Sequence, residues 1–139
     1  MKKRELVSHI MTTDVFKVNL SDSLYKVKSM LEKKHIRHLP VVSNHKLKGI
    51  ISLTDILRIS FGSNFGDNQK EVDTAIFDML TIEQVMNSNP RTITSKQSIK
   101  EVAEILTKEE FHALPVVDDD ELVGIVTTTD IVKYLLEQY

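Results

Sequence analysis

At 139 residues, 41% of them hydrophobic and 27% charged, the chain has the composition of an ordinary globular protein and enough length for one domain or two small halves sharing a core. A formal net charge of −2 argues against a nucleic-acid binder, whose affinity rests on Lys and Arg neutralising phosphates. The chain has no cysteine, which excludes disulfides, thiolate metal sites and a cysteine nucleophile, and no apolar run approaches the ~18 residues of a membrane span.

The basic start Met1-Lys2-Lys3-Arg4 is followed by no apolar run before His9, so it does not read as a secretory signal, and the expected compartment is the cytoplasm. Val15-Phe16-Lys17-Val18 alternates as a short strand does. Leu24, Val27, Met30 and Leu31 then form the apolar stripe of a helix. Leu39-Pro40-Val41-Val42 is a continuous apolar run, which predicts a strand buried on both faces. The polar tetrad Ser43-Asn44-His45-Lys46 turns the chain into a strand over 47–52. A helix is expected to start at Thr54-Asp55, where a hydroxyl and a carboxylate suit an N-cap and first turn.

Residues 61–68 (Phe-Gly-Ser-Asn-Phe-Gly-Asp-Asn) read as a loop. Over 71–80, Val72, Ala75, Ile76, Met79 and Leu80 suit an amphipathic helix that either covers a core edge or offers an exposed face to a partner. Thr81-Ile82-Glu83-Gln84 opens a further short helix by its capping spacing. A strand over Arg91-Thr92-Ile93-Thr94 comes next, then a helix with capping spacing from Ser98 to Glu101 and a stripe of Ile99, Val102, Ala103 and Leu106. The apolar run Leu114-Pro115-Val116-Val117, the turn Asp118-Asp119-Asp120-Glu121, a strand over 122–127 and a helix from Thr129-Asp130 complete the chain.

The second half repeats the first at an offset of 75. No gap is needed from Ser8, matching Glu83, to Ser60, matching Leu135, and fifteen pairs are identical, among them Met11, Leu39, Pro40, Val41, Val42, Gly49, Thr54 and Asp55 with their partners. Roughly three identities would arise by chance, so the pattern is an internal duplication. Three segments follow: a first repeat over 6–60, an inter-repeat loop and helix over 61–80, and a second repeat over 81–138. Val41, Val42, Val116 and Val117 are expected to be buried. A seam between two copies related by a pseudo-twofold axis is the place to seek a ligand.

The local motif with chemistry in it is Gly-x-x-Ser/Thr-x-Thr-Asp, present as Gly49, Ser52, Thr54 and Asp55 and again as Gly124, Thr127, Thr129 and Asp130. Strand end, hydroxyls, free N–H groups and one carboxylate share one small space there. Hydroxyls and N–H groups suit a phosphate, and a carboxylate accepts hydrogen bonds from a ribose diol. The alternative for a single copy is a helix cap; two copies with the same motif favour the ligand site. His9, His35, His45 and His112 have no metal-ligand spacing, Met11 and Met86 read as core plugs, and the acidic turn over 118–121 reads as solvated. No metal site and no catalytic constellation stand out.

The duplicated Leu-Pro-Val-Val and Gly-x-x-Ser/Thr-x-Thr-Asp pattern resembles a tandem pair of cystathionine-β-synthase (CBS) domains, a Bateman module of the stand-alone bacterial type, over about residues 6–138. The resemblance implies an α+β fold of two βαββα repeats packed about a pseudo-twofold axis, with clefts for adenosine-containing ligands. Asp55 and Asp130 would match the ribose-binding Asp of the family, and Ser52, Thr54, Thr127 and Thr129 the hydroxyls near ribose and phosphate. By the same similarity one cleft joins Asp130, Thr127 and Thr129 to Val18, Asn19, Arg37 and His38, and the other joins Asp55, Ser52 and Thr54 to Ile93, Thr94, His112 and Ala113.

The clefts are not equivalent. Before Leu39 the chain reads Lys33-Lys34-His35-Ile36-Arg37-His38, whereas before Leu114 it reads Lys108-Glu109-Glu110-Phe111-His112-Ala113. Lys33 and Lys34 suit a helix C-terminus; Arg37 and His38 are placed to face the first cleft. Asn19 stands where the family commonly has Ser or Thr, which Thr94 keeps. The expected function is a non-catalytic regulatory module sensing AMP, ADP or ATP, with S-adenosylmethionine, NAD or cyclic di-AMP as further candidates. It would signal through homodimer geometry to a regulated protein, without nucleic acid or membrane; the alternative is a constitutive dimerisation and docking module with vestigial clefts.

Overall fold

Hairpins and capped helices alternate along the chain because its apolar runs are short and its turns are polar. The computed structural model describes residues 4–60, 75–109 and 111–139. The loop expected over 61–68, the beginning of the helix expected over 71–80, the first three residues and Glu110 lie outside the described residues. In order, the elements are a 3-10 turn (Val7–His9), β1 (Val18–Asn19), α1 (Leu24–Lys34), β2 (His38–Ser43), β3 (Lys46–Ser52), α2 (Leu53–Ile59), α3 (75–79), α4 (Ile82–Val85), α5 (Ile99–Lys108), β4 (Ala113–Asp118), β5 (Glu121–Thr127) and α6 (Thr128–Glu137). The first repeat follows the expected βαββα order over β1 to α2, and the second lacks its first strand, running α5, β4, β5, α6.

The chain divides into two compact units, Phe16–Asn44 with Lys48–Asn89, and Met1–Val15 with His45–Leu47 and Pro90–Tyr139. In the first, β1 runs parallel to β2 with Val18 opposite Val41, and β2 and β3 are hydrogen-bonded neighbours. Leu24, Val27 and Leu31 from α1 pack with Leu39, Val41, Ile51, Ile56, Phe77 and Ile82 into one core. The second unit gathers Val7, Ile93, Val102, Leu106, Leu114, Val116 and Val126. There β4 and β5 pair antiparallel, and Lys46 pairs with Glu121.

Each unit combines the strands of one repeat with the segment that leads into the other. Thr12, ahead of the first repeat's strands, exchanges N–H···O bonds of 2.9 Å in both directions with Ile125 on β5. Asn87, ahead of the second repeat's strands, does the same with Ile50 on β3, at 2.8 and 3.0 Å. Glycine makes this approach possible. A Cβ on Gly49 would lie 2.6 Å from the Asn87 carbonyl oxygen and from Met86 Sδ; on Gly124 it would lie 2.8 Å from Met11 Sδ and 3.0 Å from the Thr12 carbonyl oxygen. Met86 and Met11 are half-buried against the two cores, as plugs.

Both hairpins turn on two left-handed residues, Asn44 (φ 52°) with His45 (φ 68°) and Asp119 (φ 50°) with Asp120 (φ 67°). That conformation matches strand twist, and Asn and Asp adopt it at modest cost. Ser23 and Ser98 cap α1 and α5, accepting the Lys26 and Glu101 N–H groups, and Thr81 with Gln84 forms the complete capping box expected of α4.

Several expectations need correction. The strand expected over 15–18 is Val18–Asn19 alone; Phe16 instead lies exposed beneath the Lys34 ammonium, 5.1 Å from its ring centre. The strand expected over 91–94 shrinks to one parallel bridge between Ile93 and Val116. Leu20 N–H donates to the Val42 carbonyl and extends β1, but its counterpart Ser95 donates both N–H and hydroxyl to the Asp118 carboxylate, drawing the chain off the ladder. Val41, Val42 and Val116 are buried, but Val117 is only half-buried, because the β4–β5 register shifts between Val116 and Val117. In α3 the buried side chain is Phe77, whereas Met79 is 79% exposed. Tyr25 meets the Phe77 ring edge-on at 5.4 Å and donates to Asp78, so the described part of this helix covers a core edge.

Candidate functional site

The repeated motif folds into the same local geometry twice. β3 ends on Ser52 and β5 on Thr127, and each of these residues, not Thr54 or Thr129, is the N-cap of the helix that follows. This corrects the expected helix start by two residues. The cap position accepts a main-chain N–H three residues on, and Ser52 and Thr127 supply the hydroxyl there, accepting from Asp55 and Asp130 N–H at 3.2 Å. Asp55 and Asp130 sit at the third helical position and close the capping box. Oδ2 of Asp55 accepts the Ser52 N–H at 2.8 Å and its hydroxyl at 3.0 Å. Oδ2 of Asp130 accepts the Thr127 N–H at 2.8 Å and its hydroxyl at 3.2 Å. Both carboxylates are half-buried, and Thr54 and Thr129 are exposed beside them.

The residues before each Leu-Pro run are tied to the same helix starts. Leu53 N–H donates to the Arg37 carbonyl at 2.8 Å, and Thr128 N–H to the His112 carbonyl at 3.0 Å, 75 positions later in both partners. Within each unit, Arg37 therefore belongs to the neighbourhood of Ser52 and Asp55, and His112 to that of Thr127 and Asp130. Arg37 is exposed and lines a shallow depression of about 300 Å³ with Leu31, Glu32, His35, Ile36 and Leu53. Among the described residues its guanidinium pairs with no carboxylate. His38 is half-buried at the start of β2, His112 is exposed and Ala113 is buried.

The remaining candidates are distributed as follows. The Val18 and Ile93 side chains belong to the two cores, and the Ile93 main chain is bonded into its ladder, the N–H donating to the Pro115 carbonyl at 3.1 Å and the carbonyl accepting from the Val117 N–H at 2.8 Å. Asn19 is exposed, but its Oδ1 already accepts from the Ser21 N–H and hydroxyl, at 3.1 and 2.9 Å, leaving Nδ2 as its polar contact. Thr94 is exposed, with its N–H donated to Gln97 Oε1 at 2.9 Å. Val18, Asn19, Arg37, His38, Ser52, Thr54 and Asp55 lie in one unit, and Ile93, Thr94, His112, Ala113, Thr127, Thr129 and Asp130 in the other.

The two lysines expected at a helix end are found there. Lys33 and Lys34 occupy the last turn of α1. In the second repeat Glu109, just after α5, pairs with Arg91 at 3.7 Å, and Lys100 pairs with Glu104 on α5 at 4.0 Å. No cluster of three metal-ligating side chains occurs among the described residues, nor any helix long and apolar enough to cross a membrane.

One residue near the motif carries no signal beyond its spacing. Arg58, one turn after Asp55, donates from Nη1 to Asp55 Oδ1 at 3.3 Å. Its counterpart 75 positions on is Lys133, which makes no ion pair among the described residues.

The family model of the CBS domain matches residues 7–62 and 82–137, both repeats almost completely. The chain belongs to the CBS domain family. The protein MJ1225 of Methanocaldococcus jannaschii is 30% identical over 134 residues, 95% of this chain. The chain spans about half of that relative, 48% of its length. Among solved CBS structures, CBSX2 in complex with AMP superposes with a TM-score of 0.80 at 25% identity, covering 96% of this chain and 98% of that one. The CBS domain pair of MJ0100, in complex with 5′-methylthioadenosine and S-adenosyl-L-methionine, gives 0.76 at 29% identity, with 96% and 98% covered.

Proposed function

We propose that this CBS pair is a non-catalytic regulatory module that binds adenine nucleotides or related adenosyl ligands. AMP, ADP and ATP are the first candidates; S-adenosylmethionine, NAD and cyclic di-AMP follow. The observation that carries the reading is one geometry present twice: a carboxylate anchored through Oδ2 by its own helix cap, with a hydroxyl residue beside it, in Asp55 with Thr54 and Asp130 with Thr129. A carboxylate so held accepts the hydroxyls of a ribose. Solved CBS pairs that hold AMP, or methylthioadenosine and S-adenosylmethionine, support the ligand class.

One cleft would join Asp130, Thr127 and Thr129 to Val18, Asn19, Arg37 and His38. The other would join Asp55, Ser52 and Thr54 to Ile93, Thr94, His112 and Ala113. The first has the stronger phosphate end, since Arg37 brings a permanent charge with several donors. A charge-assisted hydrogen bond is worth ~1.5–3 kcal/mol, roughly ten- to hundredfold in affinity. Ligand occupancy would be passed on, in the cytoplasm, through the geometry of a homodimer.

A thermal-shift screen against those six ligands tests the reading. A ligand at 100 times its Kd adds about 2.7 kcal/mol and raises the melting temperature by several degrees. Calorimetry then assigns the clefts. Asp130→Ala should abolish the tighter event and Asp55→Ala should leave it, while Arg37→Ala should weaken AMP far more than adenosine. No shift with any of the six ligands, or turnover of a nucleotide by the purified protein, would overturn the proposal.

A further inference from the structure

The two carboxylates are alike at Oδ2 and differ at Oδ1. An ionised carboxylate offers about four lone-pair sites, two on each oxygen. The capping boxes use both sites on Oδ2 in Asp55 and in Asp130. What remains for a ligand is Oδ1. On Asp130 that oxygen has no protein donor among the described residues, so both its sites are open. On Asp55 the Arg58 guanidinium holds one of them, at 3.3 Å. Asp55 is 16% exposed and Arg58 69% exposed, so the arginine lies over the outward side of a half-sheltered carboxylate.

We infer that Arg58 is a specificity-determining residue of the Asp55 half-site, admitting a vicinal diol there only as it lets go of Oδ1 and favouring ligands whose anionic group it can then turn to. The inference rests on the adenosyl-ligand reading above and concerns one residue that reading does not use. A vicinal diol brings two donors. Asp130 Oδ1 can accept both; Asp55 Oδ1 can accept one while Arg58 stays. The arginine is free to leave because an exposed ion pair three residues apart on a helix is weak, equivalent to at most about fivefold in an equilibrium constant. Once released, the guanidinium is a mobile cation with several donors within one helical turn of the bound sugar, and its preferred partner is a phosphate or carboxylate. An uncharged nucleoside gives it nothing in return. Lys133 holds no carboxylate at the start, so the Asp130 half-site has no such gate.

The test is calorimetry with adenosine, 2′-deoxyadenosine and AMP in an Asp130→Ala background, where the Asp55 half-site is followed alone. Arg58→Gln should tighten adenosine two- to fivefold, leave 2′-deoxyadenosine unchanged because one acceptor suffices for it, and weaken AMP relative to adenosine. Lys133→Gln, introduced into the otherwise unaltered protein, should change neither nucleoside. If the Asp130→Ala chain does not fold, the weaker of two binding events in the otherwise unaltered protein is followed through the same Arg58→Gln comparison. Equal adenosine affinity with and without Arg58, or an equal gain for 2′-deoxyadenosine, overturns the role of Arg58 and leaves the nucleotide reading standing. Absence of binding for all three probes in every variant and in the unaltered protein overturns both.

Discussion

Gly49 and Gly124 have no side chain because other atoms already fill the place. At Gly49 a Cβ would meet a main-chain oxygen, that of Asn87, at 2.6 Å; at Gly124 the main-chain oxygen of Thr12 is 3.0 Å away and the nearest atom is the flexible Met11 Sδ at 2.8 Å. A methionine can turn aside, whereas a carbonyl paired into the strand cannot. Gly49→Ala should therefore destabilise by about 2–3 kcal/mol and Gly124→Ala by about 1 kcal/mol, within the range for overpacked sites. Urea midpoints at unchanged slope measure the difference. Equal midpoints for the two variants would mean that the Asn87 segment yields as easily as a side chain. The same scale of argument separates the two carboxylates: Asp55 and Asp130 have identical anchors and differ in one donated hydrogen bond from Arg58.

Among the elements, α1 and the ladder beside Ile93 show where local chemistry overrides the repeat. α1 ends at His35 in the left-handed conformation (φ 53°, ψ 41°), with the His35 N–H and the Ile36 N–H both donating to the Leu31 carbonyl. Glycine is the residue suited to that position. A left-handed non-glycine residue costs ~1–2 kcal/mol, and glycine's extra chain entropy returns roughly half of that. His35→Gly should then stabilise by about 0.5–1 kcal/mol and raise the melting temperature by a few degrees; a lower melting temperature would show that the imidazole contributes packing that outweighs the strain. At Ile93 the ladder stops after one bridge because Ser95 donates N–H and hydroxyl to Asp118, and these bonds hold the Asp118 carboxyl below its ordinary range. A carboxyl depressed in the folded state lends stability above its unfolded pKa that is lost as the pH falls through the folded value. Ser95→Ala should therefore be less stable than the unaltered protein at neutral pH, with the gap closing as the pH drops below about 4. Denaturation at pH 6 and pH 3 checks this, and a gap that stays constant would assign the loss to the hydroxyl's packing.

For the whole molecule, the in-register duplication made both repeats legible, since the Leu-Pro-Val-Val run and the Gly-x-x-Ser/Thr-x-Thr-Asp motif recur 75 positions on. Leu39 to Val42 are buried as a continuous run should be, and the motif delivers two capped aspartates. What the sequence hid was long-range or singular. That Thr12 pairs with Ile125 and Asn87 with Ile50 is a main-chain partnership with no periodicity of its own. Phe77 was missed as the buried residue of α3 because Ile76, Met79 and Leu80 offered a better helical stripe, and Arg58 because one arginine three residues from an aspartate is commonplace. The same duplication has a consequence for association. Leu57 on α2 and Val132 on α6 occupy matching positions and are 62% and 48% exposed, and Val132 shares its helix face with Leu135 and Leu136, 41% and 67% exposed. Single exposed leucines are ordinary, but apolar residues gathered on one face mark an interface, and an isologous pair of identical chains is the commonest way to cover one. Light scattering at tens of micromolar should give twice the chain mass of 15.9 kDa. Leu136→Glu would bring a charge onto that face without entering either core, since Leu136 belongs to neither. It should lower the mass to one chain while leaving the far-ultraviolet circular dichroism unchanged. A single-chain mass for the unaltered protein, or a dimer indifferent to Leu136→Glu, would remove these helix faces from the account of how occupancy is transmitted.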